Sequence, residues 1–168
     1  MVCLNEIKEI IEKSNDFLNL KKKYPSSFLY AVFSILTDEK FNRDFDYYLN
    51  KEEVAMFSYS SEKIEMKISK LDADMVKDTK KPAEVKGKII LEPEIVAEII
   101  AEEIKKQKVV GSISKIILTL MNDKKLIWKS NCILTTMDIL QVDISDSDKK
   151  VIKFEKKNLT DFVKYMKK

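Results

Sequence analysis

The sequence lacks histidine and contains little glycine or arginine. Its 168 residues include two glycines, Gly87 and Gly111, and a single arginine, Arg43, beside thirty lysines. Histidine is the usual side chain for proton transfer near neutral pH, and glycine lets a backbone approach a phosphate closely. The composition therefore argues against many common catalytic mechanisms and phosphate-binding loops.

Long apolar runs are missing as well. No stretch approaches the roughly 18–20 apolar residues that cross a bilayer, and acidic residues interrupt the N-terminal segment, unlike a secretory signal. We therefore expect a cytoplasmic protein without an integral membrane segment. Because 45% of the residues are apolar and 35% are charged, the composition is that of a globular protein with a buried core.

The two cysteines have no neighbours typical of a metal or redox site. Cys3 and Cys132 are far apart and neither lies in a CxxC pair, which predicts reduced thiols, with Cys132 as a small core residue of a strand. A nucleophilic Cys132 would lack a histidine base. Gly87-Lys88 lacks the remaining residues of a phosphate-binding loop. We predict a protein that is not an enzyme, with no catalytic or cofactor-binding residues and no cofactor.

Three aspartates near one predicted hairpin raise the question of a calcium site. An EF-hand loop needs glycine at its sixth position and glutamate at its twelfth. A loop beginning at Asp143 has Asp148 and Phe154 there, and one beginning at Asp146 fits no better. The pattern predicts a polar turn and no metal site.

Periodicity predicts two successive units, each with a helix followed by antiparallel strands. In the first unit the apolar residues from Leu4 to Leu18 recur at helical spacing, and residues 38–46 are polar and turn-like. In the second unit Pro93 occupies a helix-starting position, and Asn158 is a candidate N-cap for a last helix. The predicted strands are 28–36, 47–49, 54–59, 63–68, 113–121, 126–134, 139–144 and 151–154.

The two units suggest an internal repeat. The hairpin at 57–64 aligns with the one at 144–151, where Ser58, Ser60 and Lys63 meet identical residues. We predict an α+β fold of antiparallel sheets with helices packed on one face. Its parts are a first helix-plus-sheet unit (1–75), a linker or crossing segment (76–91) and a second unit with a C-terminal helix (92–168). The units either share one continuous sheet or lie side by side, and a single domain with a coincidental repeat is the alternative.

The second unit resembles a PepSY or cystatin-like domain, which places one helix across a curved antiparallel sheet. The resemblance rests on the length and apolar ends of the hairpin from Ile144 to Val151 and on Trp128 in the preceding strand. It covers about 60 residues, extends more loosely to the first unit, and implies a protein-binding or inhibitory role. Lys149 stands where the family usually has glycine. Because a positive φ is strained for lysine, this predicts a different turn type.

Positive charge concentrates at the C-terminus, where residues 149–168 contain eight lysines and two acidic residues. We predict a non-enzymatic binding or scaffold protein whose partner is a protein, contacted through a sheet face, a strand edge or the C-terminal helix. The alternative is a lysine-based nucleic-acid binder that uses this tail. The candidate partner-binding residues are Lys153, Lys156, Lys157, Lys164, Lys167 and Lys168. The sequence leaves the identity of the partner and the oligomeric state open.

Overall fold

One antiparallel sheet dominates the described part of the chain. The computed structural model describes residues 2–37, 39–71 and 81–158. In these ranges the strands are β1 (Phe28–Thr37), β2 (Lys40–Phe41), β3 (Arg43–Tyr48), β4 (Glu53–Ser60), β5 (Lys63–Lys70), β6 (Ile113–Asp123), β7 (Lys125–Leu134), β8 (Asp138–Ser145) and β9 (Val151–Asn158). The strand order is β5-β4-β3-β1-β6-β7-β8-β9, and the short β2 pairs with β1.

The predicted fold class, with two helix-plus-sheet units, is wrong. Strand residues far outnumber helical ones in the part of the chain that the structure describes, and its strands belong to a single nine-stranded sheet. The sheet is continuous because β1 pairs with β6, with Val32 opposite Leu120 and Ser34 opposite Leu118. This pairing removes two exposed strand edges from the middle of the molecule. The domain boundaries at residues 75 and 91 stay a prediction.

The described ranges contain three helices, α1 (Leu4–Lys13), α2 (Asn15–Lys23) and α3 (Pro93–Lys106). The sequence predicted one helix where α1 and α2 stand. Ser14 separates them, since its hydroxyl donates to the Ile11 carbonyl (2.6 Å) and accepts the Phe17 N–H (3.2 Å). Among the described helices, none has the length and apolar character of a membrane span. The predicted C-terminal helix lies outside the described residues.

The hydrophobic core lies between the helices and one face of the sheet. A row of buried strand residues crosses this face, namely Phe57, Phe45, Val32, Leu120, Trp128 and Ile144. The helices contribute buried residues from one side of each, namely Leu4, Ile7, Ile11, Phe17, Leu20, Val96 and Ile100. Cys132 is fully buried in this core, which confirms the prediction made for it.

The segment predicted to be turn-like is not simply a turn. Its described part, 39–46, contains β2 and the first four residues of β3. Along β3, Arg43, Phe45 and Tyr47 are buried, whereas Asp44 and Asp46 point to the opposite face. The two aspartates hid this strand in the sequence, because aspartate is uncommon in strands. The alternation of buried residues with these aspartates is the signal that a search for a two-residue repeat in the sequence would detect.

Residues 81–92, which we call the crossing segment, pack against the core. Val85, Ile89 and Leu91 are each 2% exposed. The Asn5 side chain donates to the Ile89 carbonyl (2.8 Å) and accepts the Ile89 N–H (3.0 Å). The Asp146 carboxylate, which the sequence placed in a polar turn, secures the rest of the segment. It accepts the N–H groups of Ile90 (2.8 Å) and Leu91 (2.9 Å) and the indole N–H of Trp128 (3.0 Å).

The turn between β8 and β9 places Lys149 in the left-handed region, with φ of 58°. The Lys149 N–H donates to the Ser145 carbonyl and the Ser145 N–H donates to the Lys150 carbonyl, both at 2.9 Å. The position therefore requires a positive φ even though the residue is lysine. The resemblance to PepSY and cystatin-like domains stays a prediction.

Candidate functional site

The face of the sheet opposite the helices, which we call the outer face, carries many half-buried apolar and aromatic side chains. They are Phe28, Tyr30, Phe33, Ile35, Tyr48, Met56, Ile117, Met121, Ile133 and Ile139, and none of them belongs to the core cluster. An antiparallel sheet with apolar side chains on both of its faces is unusual, because the face toward solvent is ordinarily polar. The outer face is therefore the main candidate for a binding surface.

Three rings gather at one end of the outer face and form the aromatic cluster, which consists of Phe28, Tyr30 and Tyr48. The rings of Phe28 and Tyr48 have centroids 5.3 Å apart, and those of Tyr30 and Tyr48 meet edge to face at 6.4 Å. The Lys81 ammonium lies 5.3 Å from the Phe28 ring centroid, within the range of a cation–π contact. The cluster thus already holds one cationic group of the chain itself.

A β-bulge directs Tyr30 toward an acidic residue. Leu29 pairs with Tyr47 and Ala31 pairs with Asp46, so Tyr30 is an extra residue in β1. Such an insertion bends the strand and redirects side chains. As a result Tyr30 and Ala31 both lie opposite Asp46.

Asp46 is half-buried beside the aromatic cluster. Its carboxylate makes no hydrogen bond or ion pair within residues 2–37, 39–71 and 81–158. Burial, and secondarily the nearby charge of Asp44, raise the pKa of the Asp46 carboxyl to about 7. Burial, with a smaller effect from Asp46, raises the pKa of the Tyr30 hydroxyl to about 12. The ionised Asp46 is therefore a poorly solvated negative charge, which a cationic group would stabilise.

A row of register neighbours crosses the centre of the outer face. Asp44 on β3 lies opposite Phe33 on β1, Phe33 opposite Thr119 on β6, and Thr119 opposite Lys129 on β7. Asp44 accepts a hydrogen bond from the Asn42 amide (2.8 Å). Lys129 is half-buried and forms no ion pair with any described residue. The row thus has the uncharged residues Phe33 and Thr119 in its middle, a negative charge on one side of them and a positive charge on the other.

Of the lysines predicted as partner contacts, Lys153 and Lys157 lie at outer-face positions, opposite Asp143 and Ile139, but away from the aromatic cluster. Lys153, Lys156 and Lys157 lie on the edge strand β9. Lys153 pairs with Glu155 (3.5 Å) and Lys156 pairs with Asp138 (3.2 Å). Lys164, Lys167 and Lys168 lie outside the described residues, and the nucleic-acid alternative stays a prediction.

Two grooves among the described residues lie away from the aromatic cluster. One, of about 590 Å³, runs between α3 and the start of β9, where Glu102, Glu103 and Lys106 face Lys149 to Phe154. The other, of about 380 Å³, lies around Arg43, whose guanidinium binds both carboxylate oxygens of Glu94 at 2.8 and 3.0 Å.

Burial raises the pKa of the Cys132 thiol to about 11, which makes this thiol a poor nucleophile.

No protein-family model and no curated protein sequence matches the chain. Among solved structures, the chain is similar to a protein of Clostridium difficile 630 whose crystal structure is described as that of a "putative lipoprotein". The two are 16% identical, the TM-score is 0.56, and the similarity covers 93% of each chain. At this identity the likeness concerns the fold alone.

Proposed function

We propose that the protein is a non-enzymatic binding protein that contacts a protein partner through the outer face of its sheet. The observation that carries the proposal is the aromatic cluster beside Asp46, a half-buried carboxylate without a partner among the described residues. Burying partly exposed rings against a partner removes apolar surface from water, which favours association. A cationic side chain of the partner would further stabilise Asp46.

The chemistry of the outer face favours a protein over other partners. Tyrosine and phenylalanine are enriched in protein interfaces, and they dominate binding energy when they lie at the centre of a contact. Asp44 and Asp46 would repel the phosphates of a nucleic acid. The resemblance to PepSY and cystatin-like domains, which implies a protein-binding role, supports the same proposal. We also propose the cytoplasmic location that the sequence predicts.

Site-specific photo-crosslinking in the cells that produce the protein tests this proposal. The variant Tyr30→p-benzoylphenylalanine places a photoreactive group on the outer face, and Tyr59→p-benzoylphenylalanine is the matched control, because Tyr59 is a half-buried aromatic residue on the helix side. We expect discrete protein adducts from position 30 and none from position 59. Adducts from position 30 should be lost when Asp46→Lys is added. No adduct at position 30, or the same adducts at both positions, would overturn the proposal.

A further inference from the structure

The outer face is arranged symmetrically about its two central strands. β1 and β6 pair with each other, β3 lies outside β1, and β7 lies outside β6. The row of register neighbours Asp44, Phe33, Thr119 and Lys129 is called the central row. In it, Asp44 and Lys129 lie at equal distances on either side of the line between β1 and β6. Adjacent strands are about 4.8 Å apart, so each charge is about 7 Å from this line.

We propose that the outer face binds a second copy of the chain about a two-fold axis parallel to β1 and β6, with Asp44 of each copy facing Lys129 of the other. The proposal rests on the outer face being a binding surface and assigns an occupant to its central row, not to Asp46. A rotation about this axis exchanges left and right but leaves the position along the strands unchanged. It therefore places each Asp44 over a Lys129, and the dimer contains this ion pair twice.

The distances fit the packing of two sheets. Sheets that pack face to face lie about 10 Å apart, and an aspartate and a lysine side chain together can span this gap. Phe33, Ile35 and Ile117 would occupy the apolar middle, since Ile35 pairs with Ile117 beside the central row. An apolar centre with charged groups around it is the usual anatomy of a protein interface.

The rest of the row is also self-complementary. Beyond Asp44 the row continues through Ser58 to Glu65, and beyond Lys129 it continues through Asp143 to Lys153. The same rotation places Glu65 against Lys153 and Ser58 against Asp143, so no two like charges meet in this row. Because like charges at an interface are costly, their absence from the row favours this axis.

The available area corresponds to a weak dimer. The six strands from β4 to β8 in the sheet order are about 29 Å wide, and six residues along them span about 20 Å. Two such footprints bury about 1,200 Å² in total, which is near the lower limit for a specific interface. We therefore expect a dissociation constant of about 1–100 µM that rises with salt concentration.

Analytical ultracentrifugation of the full chain and of charge-reversed variants tests the proposal. We expect Asp44→Lys and Lys129→Asp each to weaken dimerisation at least about tenfold, because each change introduces two repulsive pairs. The double variant D44K/K129D should restore dimerisation to within about threefold of the wild type. Lys22→Asp, an exposed position of α2 on the helix side of the sheet, is the control for a change of net charge and should have little effect.

Near-UV circular dichroism of Trp128 reports whether each variant is folded. If a charge-reversed variant does not fold, the neutral variant at the same position, Asp44→Asn or Lys129→Gln, is measured in its place. A wild type that stays monomeric up to about 1 mM, well above the expected dissociation constant, would overturn the proposal. Dimerisation that no single change weakens, or that the double change does not restore, would do the same. If the protein is monomeric and position 30 still forms adducts with other proteins, the second copy is the wrong occupant but the outer face remains a binding surface.

Discussion

Asp46 is the residue at which the structure departs most from what its amino-acid type suggests. Its carboxyl group lies opposite Ala31 and Tyr30 on one side and Met56 on the other, so burial raises its pKa to about 7. The sequence showed an aspartate in a polar segment, and only the bulge in β1 brings an aromatic ring next to it. No local pattern predicts that bulge.

The raised pKa of Asp46 predicts a pH-dependent stability. The native state binds this proton more tightly than the unfolded chain does, so the free energy of unfolding should fall as the pH rises from about 4 to about 7. We expect Asp46→Asn to remove this part of the slope and to stabilise the protein by about 2–4 kcal/mol at pH 8, with little effect at pH 4. Urea unfolding at both pH values measures this.

Asp143→Asn, also on the outer face, is the control for the loss of one negative charge. If Asp46→Asn leaves the wild-type slope between pH 4 and 7 intact, Asp46 does not have the environment described.

Lys149 offers a second prediction at this scale. A left-handed conformation costs a residue other than glycine about 1–2 kcal/mol, whereas glycine loses more chain entropy on folding. We expect Lys149→Gly to raise the free energy of unfolding by about 0.5–1 kcal/mol. Lys150→Gly, at a neighbour without a positive φ, should lower it. Thermal unfolding compares the two variants, and a Lys149→Gly variant less stable than the wild type would contradict the turn geometry.

At the scale of elements, the crossing segment depends on a few side chains. Asp146 is 1% exposed and accepts three N–H groups. Because a buried donor without an acceptor costs about 1–3 kcal/mol, we expect Asp146→Ala to destabilise the protein by about 3–5 kcal/mol. It should also shift the emission of Trp128, whose indole loses its acceptor. Urea unfolding followed by circular dichroism gives the first quantity and fluorescence gives the second.

Asp148→Ala is the matched control, since Asp148 is an exposed turn residue that pairs with Lys125. It should change the stability little. Equal effects of the two substitutions would mean that the crossing segment does not depend on Asp146.

Elements with strong local signals were predictable from the sequence. The hairpin of β4 and β5 shows a two-residue alternation around Ser61 and Glu62, and its strands are confirmed. The break between α1 and α2 was missed, because Ser14 interrupts an apolar pattern that otherwise continues in phase. The role of Asp146 was also missed, because its partners in the crossing segment are more than fifty residues away.

At the scale of the whole molecule, the single sheet follows from the pairing of β1 with β6. The paired residues of these strands, from Val32 and Leu120 to Ile35 and Ile117, are more than eighty positions apart in sequence, and nothing in either strand specifies its neighbour. Sequence periodicity indicates which residues of a strand share a face but not which strand lies beside it. This is why the sheet was predicted as two units, and why the central row of the outer face could not be predicted at all.

A dimer formed through the outer face requires this face to be accessible in the monomer and covered in the dimer. Methyl NMR of isoleucine-labelled protein with a soluble paramagnetic probe measures this directly. At concentrations far below the dissociation constant, the signals of Ile35 and Ile117 should broaden, like that of the exposed Ile95. At high concentration they should be protected, like that of the buried Ile100, while Ile95 stays broadened. Protection of Ile35 and Ile117 at every concentration, or at none, would contradict a dimer formed through the outer face.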